Sequence, residues 1–153
     1  MVKGTVPNGS VPFCYGVTKF IQGPRKKNCH YAPSGQVLLG IRQFNNGEWF
    51  ECHETLELLW ISETGDLRNL YQGIIQLAIA LHHWRNGNFN GAICLLDGGM
   101  EYLSKLPQIC LWIDVAELVR QAESVKKQLE SLGTSRMADL DPGCIPKIVT
   151  ASV

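Results

Sequence analysis

The chain has 153 residues, 45% of them apolar, and its fourteen basic side chains are cancelled by fourteen acidic ones. That length suits one domain with a real core. Zero net charge speaks against a general nucleic-acid or anionic-membrane binder, which carries a basic surplus, and the short Arg25-Lys26-Lys27 run does not change that.

Residues 1–33 lack a helical period and are punctuated by Pro7, Pro12, Pro24 and Pro33. They predict an irregular or partly disordered arm, with a short extended piece near Val11–Phe20. Cys14, Cys29 and His30 read as unrelated loop residues, because a zinc site needs a fourth ligand and tighter spacing. The other cysteines are Cys52, Cys94, Cys110 and Cys144, and no two form C-x-x-C. Cys52 and Cys94 fall inside predicted helices, where a free thiol behaves as a small apolar group. This usage predicts a reducing cytoplasm without a disulfide framework. No continuous apolar run marks a secretory signal.

Ser34 can cap a first helix to about Asn45, with Val37, Leu38, Ile41 and Phe44 on its apolar face. Asn45-Asn46-Gly47 stops it. A second helix is predicted from Glu48 to Glu63, its acidic first turn suiting the positive helix end. A third runs over Leu67–Asn86 and a fourth over about Asn90–Lys105, closed by Pro107. Gln108–Ile113 is a connector, with Trp112 expected to pack down. Asp114 caps a fifth helix to about Leu132, ended by Gly133. The tail over 133–153 reads as extended or disordered. Asn46-Gly47-Glu48-Trp49 returns as Asn86-Gly87-Asn88-Phe89, and Cys52 is echoed by Ala92. Each copy fits a tight helical hairpin. Two copies do not make a repeat protein.

The third helix carries the most informative pattern. Over Leu70–Trp84 it is apolar nearly all round, as a helix in the middle of a core must be. Its apolar run is too short and too interrupted for a membrane span. At about 100° per residue, Gln72, Gln76 and His83 fall within an arc of roughly 40°. Buried amides need partners, since an unpaired one costs about 1–3 kcal/mol. On the second helix, His53 and Glu57 stand one turn apart on a face predicted to be buried. Glu54 lies further round, and only Glu51, Thr55 and Ser62 point clearly to solvent. The two helices can therefore turn a polar cluster toward each other.

Two function classes follow. In one, His53, Glu54, Glu57, Gln72, Gln76 and His83 form a buried network that fixes helix register or holds a small ligand in a non-enzymatic binding or scaffold protein. In the other, His53, Glu57 and His83 ligate a divalent metal and Glu54 is the base of a hydrolase, as in H-E-x-x-H enzymes. Here Glu57 replaces the second histidine of that motif. His82 is expected to pack on a neighbouring helix. A homo-oligomer is compatible with either class.

The segments FNNGEWFECHETLELLW and YQGIIQLAIALHHWRNGNFNGAICLLDGG resemble the domain of unknown function 309 family, in its cyanobacterial form. The matching positions are Phe44, Asn45, Gly47, His53, Glu54, Glu57 and Trp60, then Gln72, Gly73, Gln76, His83, Gly87, Asn88, Gly91 and Ala92. The likeness covers about Ile41 to Leu106. It implies an all-helical bundle and no established activity. The expectation is an all-α domain over 34–132, with two antiparallel hairpins and a C-terminal helix.

Overall fold

The structure is a computed structural model, and it describes residues 28–151. The extended piece predicted near 11–20 and the basic run at 25–27 lie outside the described residues.

Five helices build the bundle, and each begins where the sequence provides a reason. Helix α1 spans Gly35–Asn45, capped by Ser34, whose hydroxyl accepts the Val37 amide at 3.2 Å. Helix α2 spans Trp49–Ser62, α3 Leu67–Arg85 and α4 Phe89–Leu103. Helix α5 runs from Val115 to Arg136, capped by Asp114 on the Glu117 amide at 3.0 Å. Gly133 interrupts it with a φ of 76°, so the regular helix stops where the glycine predicts. The fold is an all-α bundle.

The repeated turn is built the same way twice. Gly47 and Gly87 take φ values of 79° and 81°, a left-handed conformation that glycine adopts without steric cost. The following amides, of Glu48 and Asn88, donate to the carbonyls of Gln43 and His83 at 2.9 and 2.8 Å. Cys52 and Ala92 are both fully buried, which lets each hairpin close.

Helix α3 is the axis of the bundle, with every residue from Asn69 to Ala78 buried. It packs on α2 along one side and on α4 along the other. The α3–α4 crossing is closest at Gly73 and Gly99. A Cβ on Gly99 would lie 2.9 Å from the Gly73 carbonyl oxygen, a backbone atom that cannot swing away. Helix α5 packs on α4, with Lys126 paired to Asp97 at 2.7 Å across the groove.

Between α4 and α5, a short hairpin pairs β1 (Ile109–Cys110) antiparallel to β2 (Ile113–Asp114). Its two loop residues reverse the expected packing: Leu111 is buried, while Trp112 is 38% exposed. Two further expectations are corrected here. Cys29 and Cys110 form a disulfide, and Cys94 is also disulfide-bonded, so a framework does exist. Only Cys52 and Cys144 are free thiols among the described residues. Sequence spacing hid the Cys29–Cys110 bridge, because its partners lie 81 residues apart and meet only when the hairpin folds back beside the start of α1. Over 134–151 the chain is packed down rather than loose: Met137, Leu140 and Ile148 are buried, and Thr150 bridges to Ile113.

Two stability outcomes follow. Gly99→Ala gains about 1 kcal/mol of helix propensity but forces α3 and α4 apart; a net loss of about 1–3 kcal/mol in urea denaturation is expected. Cys29→Ser with Cys110→Ser opens a loop that spans four helices, and the chain-entropy account gives a loss of about 4 kcal/mol under non-reducing conditions.

Candidate functional site

Helix α2 brings His53 and Glu57 together. They stand one turn apart, and His53 Nε2 lies 3.3 Å from Glu57 Oε1. His53 is buried and Glu57 half-buried. Phe50, one turn earlier, lies between two imidazoles: its ring centroid is 5.4 Å from that of His53 and 5.7 Å from that of His82. His82 therefore packs on the neighbouring helix, as the sequence suggests, and in doing so it joins α3 to the His53 edge. His83 points elsewhere. Its Nδ1 is 3.3 Å from Asn88 Nδ2, and its ring lies beside Gly91 at the start of α4.

The α2–α3 pair is antiparallel and pinned at both ends. Phe50 meets His82 at one end, and Arg68 donates to the Trp60 carbonyl at 2.9 Å at the other. Counting inward from these contacts sets Gln76 level with His53–Glu54 and Gln72 level with Glu57–Leu58. Around the α3 axis, His82 faces α2 while Gly73 and Leu77 face α4. Gln72 and Gln76 lie on the arc between them, at about 100° per residue. Both are buried, at 1% and 0% exposure, and among the described residues neither amide has a hydrogen-bond partner at its oxygen or its nitrogen. Four orphaned polar atoms on two adjacent turns are unusual, because buried polar groups are almost always paired.

The other residues of the predicted cluster divide. Glu54 is exposed, not turned into the bundle. The sequence also assigned too few residues to solvent on this helix. Phe50, Leu58 and Ile61 are exposed, whereas Thr55 is half-buried and its carbonyl accepts Gln36 Nε2 at 3.0 Å. Among the described residues no three His, Cys, Asp or Glu side chains are grouped to hold a metal ion. Of the three residues expected as metal ligands, His53 and Glu57 stand together on α2, while His83 lies near the end of α3 against Asn88. Phe50 was missed as a neighbour of the site, although its i, i+3 spacing to His53 was readable.

Burial sets the protonation of the imidazoles. Desolvation holds His53 below the ordinary histidine range, with Glu57 and the Phe50 carbonyl opposing it in part. Desolvation lowers His82 as well, aided by Arg85, and lowers His83, aided by His82. The Cys52 thiol, buried in apolar surroundings, is pushed up to about 12 and is not a nucleophile.

Comparison with known proteins bears on these same helices. Residues 37–95 match the family model described as Domain of unknown function (DUF309). The match runs from α1 into α4, and so contains His53, Glu57, Gln72, Gln76 and both glycine turns. Over 88 residues the chain is 35% identical to the Uncharacterized protein YpuF of Bacillus subtilis, covering 56% of this chain and 51% of that one. Over 83 residues it is 26% identical to an Uncharacterized protein of Aquifex aeolicus, covering 54% of this chain and 25% of that one. The chain thus spans about half the length of one of these relatives and a quarter of the other. No solved structure matches the chain.

The lowered imidazoles give a pH dependence with a definite sign. The unfolded chain binds protons near the ordinary histidine pKa of about 6.5, whereas folded His53 resists protonation until lower pH. Stability is therefore full above that range and falls as the pH drops through it. Urea midpoints should be lower at pH 5 than at pH 7.5, and His53→Gln should narrow the difference.

Proposed function

We propose that this DUF309 domain is a non-enzymatic binding module that holds a small, uncharged, polar molecule against Gln72 and Gln76, at the edge of the His53–Glu57 pair. The observation that carries this reading is the pair of fully buried amides with four unsatisfied atoms. Each amide offers two N–H donors and a carbonyl acceptor. Such a pair suits an amide, a urea or a polyol, which can donate and accept at once. Imidazoles that resist protonation add no positive charge beside it, and that disfavours an anion. The hydrolase alternative draws no support from the donor geometry around His53.

The surrounding assignments belong to the same reading. No described helix is long and apolar enough to cross a membrane. A cytoplasmic location, expected from the cysteine usage, is the part that the Cys29–Cys110 disulfide speaks against, since cytosolic thiols are kept reduced.

The test uses the side-chain amide resonances of Gln72 and Gln76 in the full chain, titrated with acetamide, N-methylurea and glycerol at millimolar concentration. Saturable shifts at both residues are expected with at least one probe, and their loss in Gln72→Leu/Gln76→Leu. That double variant should be as stable as the wild type or more so, because removing an unpaired polar group relieves its burial cost. No shifts, together with a loss of about 2 kcal/mol or more in the double variant, would identify the amides as part of a structural network.

A further inference from the structure

The segment that follows α5 is bound like a ligand. Asn45, at the end of α1, grips the Ile148 main chain with both ends of its amide: Nδ2 donates to the Ile148 carbonyl at 2.9 Å, and Oδ1 accepts the Ile148 N–H at 2.7 Å. Gln121, on α5, does the same to Lys147, accepting its N–H at 2.8 Å and donating to its carbonyl at 3.1 Å. The edge of the hairpin completes the hold. The Asp114 N–H donates to the Val149 carbonyl at 2.8 Å, and the Trp112 carbonyl accepts the Ala151 N–H at 2.6 Å.

Almost all of this recognises main chain. Pro146 and Ile148 are the buried side chains, while Lys147, Val149 and Thr150 are exposed. A main-chain hold with alternate side chains seated is the pattern of peptides that add as a strand to a sheet edge. The clamp is also strained. Leu111 and Trp112, the two loop residues of the hairpin, take φ values of 49° and 65°. Two-residue hairpin loops place Asn and Gly in that conformation, not Leu and Trp. Backbone held in such conformations is characteristic of ligand clamps and switch regions. Here the Cys29–Cys110 bridge and the hydrogen bond from the Leu111 N–H to the Cys29 carbonyl, at 2.8 Å, brace it.

We propose that the channel between the end of α1, α5 and the edge of β2 is a site for an extended peptide of a partner protein, closed here by the chain's own segment 145–151. The partner peptide is extended, places an aliphatic side chain where Ile148 sits and a proline two residues before it, can offer a cation between them to the Asn45 carbonyl as Lys147 does, and is otherwise read through its backbone. The chain's own segment then acts as an internal competitor that sets how tightly the partner must bind.

The test titrates a fluorescein-labelled peptide of sequence IPKIVTA against the full-length wild type and two full-length variants that loosen the segment. Ile148→Asp removes the buried anchor. Lys147→Pro, the milder change, keeps the buried anchor and removes the N–H given to Gln121 and the side-chain ammonium given to the Asn45 carbonyl. Fluorescence anisotropy should show at least tenfold tighter binding to a folded variant than to the wild type. Asn45→Ala in that variant, or aspartate in place of the peptide's second isoleucine, should weaken binding tenfold or more. Equal affinity for wild type and variants, no binding to either folded variant, or indifference to the peptide's isoleucine would overturn the proposal. A wild-type dimer whose dissociation tracks peptide binding would also overturn it, in favour of segments exchanged between two copies.

Discussion

The burial of α3 on every side is the constraint from which the rest of the structure follows. A helix sealed from Asn69 to Ala78 must be surrounded, so α2 and α4 flank it and α1 and α5 lie outside them. The seal requires close approach, and the glycines at 73 and 99 permit it. It also makes any polar side chain on that helix costly. The chain nevertheless keeps two glutamines there, at 1% and 0% exposure. An apolar residue at either position would serve the packing better, and that is why the amides point to a ligand.

The polar groups form two edges, not one cluster. On the α2 side, Phe50 gathers His53 and His82, with Glu57 closing the far end of the row. On the α4 side, His83 is taken up by Asn88 and the glycine turn. Gln72 and Gln76 lie on the arc between the two. Among the described residues, Gln72 and Gln76 are buried with both amide atoms unpaired, beside the unpaired Nδ1 of His53 on the α2 edge. Neutral imidazoles at the edge suit this arrangement, because a charged neighbour would favour a different class of ligand.

Much of this was legible in the residues. Ser34 and Asp114 announced helix starts, the Asn-Gly turns announced hairpins, and the apolar period of Leu70–Trp84 announced the central helix. The pairing of His53 with Glu57 follows from i, i+4 spacing alone. Other features depend on tertiary arrangement and have no local signal. The direction taken by His83 is decided by a turn on another helix. The exposure of Glu54 depends on which elements pack around α2, which a helical wheel cannot report. The disulfide joins a turn before α1 to a hairpin after α4. The segment after Gly133 has the composition of a loose tail, yet Asn45 and Gln121 hold its backbone irrespective of its side chains.

The most direct measurement is a crystal structure of the full chain, read for non-protein density beside α3. Density larger than a water molecule, within hydrogen-bond distance of both Gln72 and Gln76, is the predicted result. Amides bonded to each other or to protein groups, with no such density, would contradict the account.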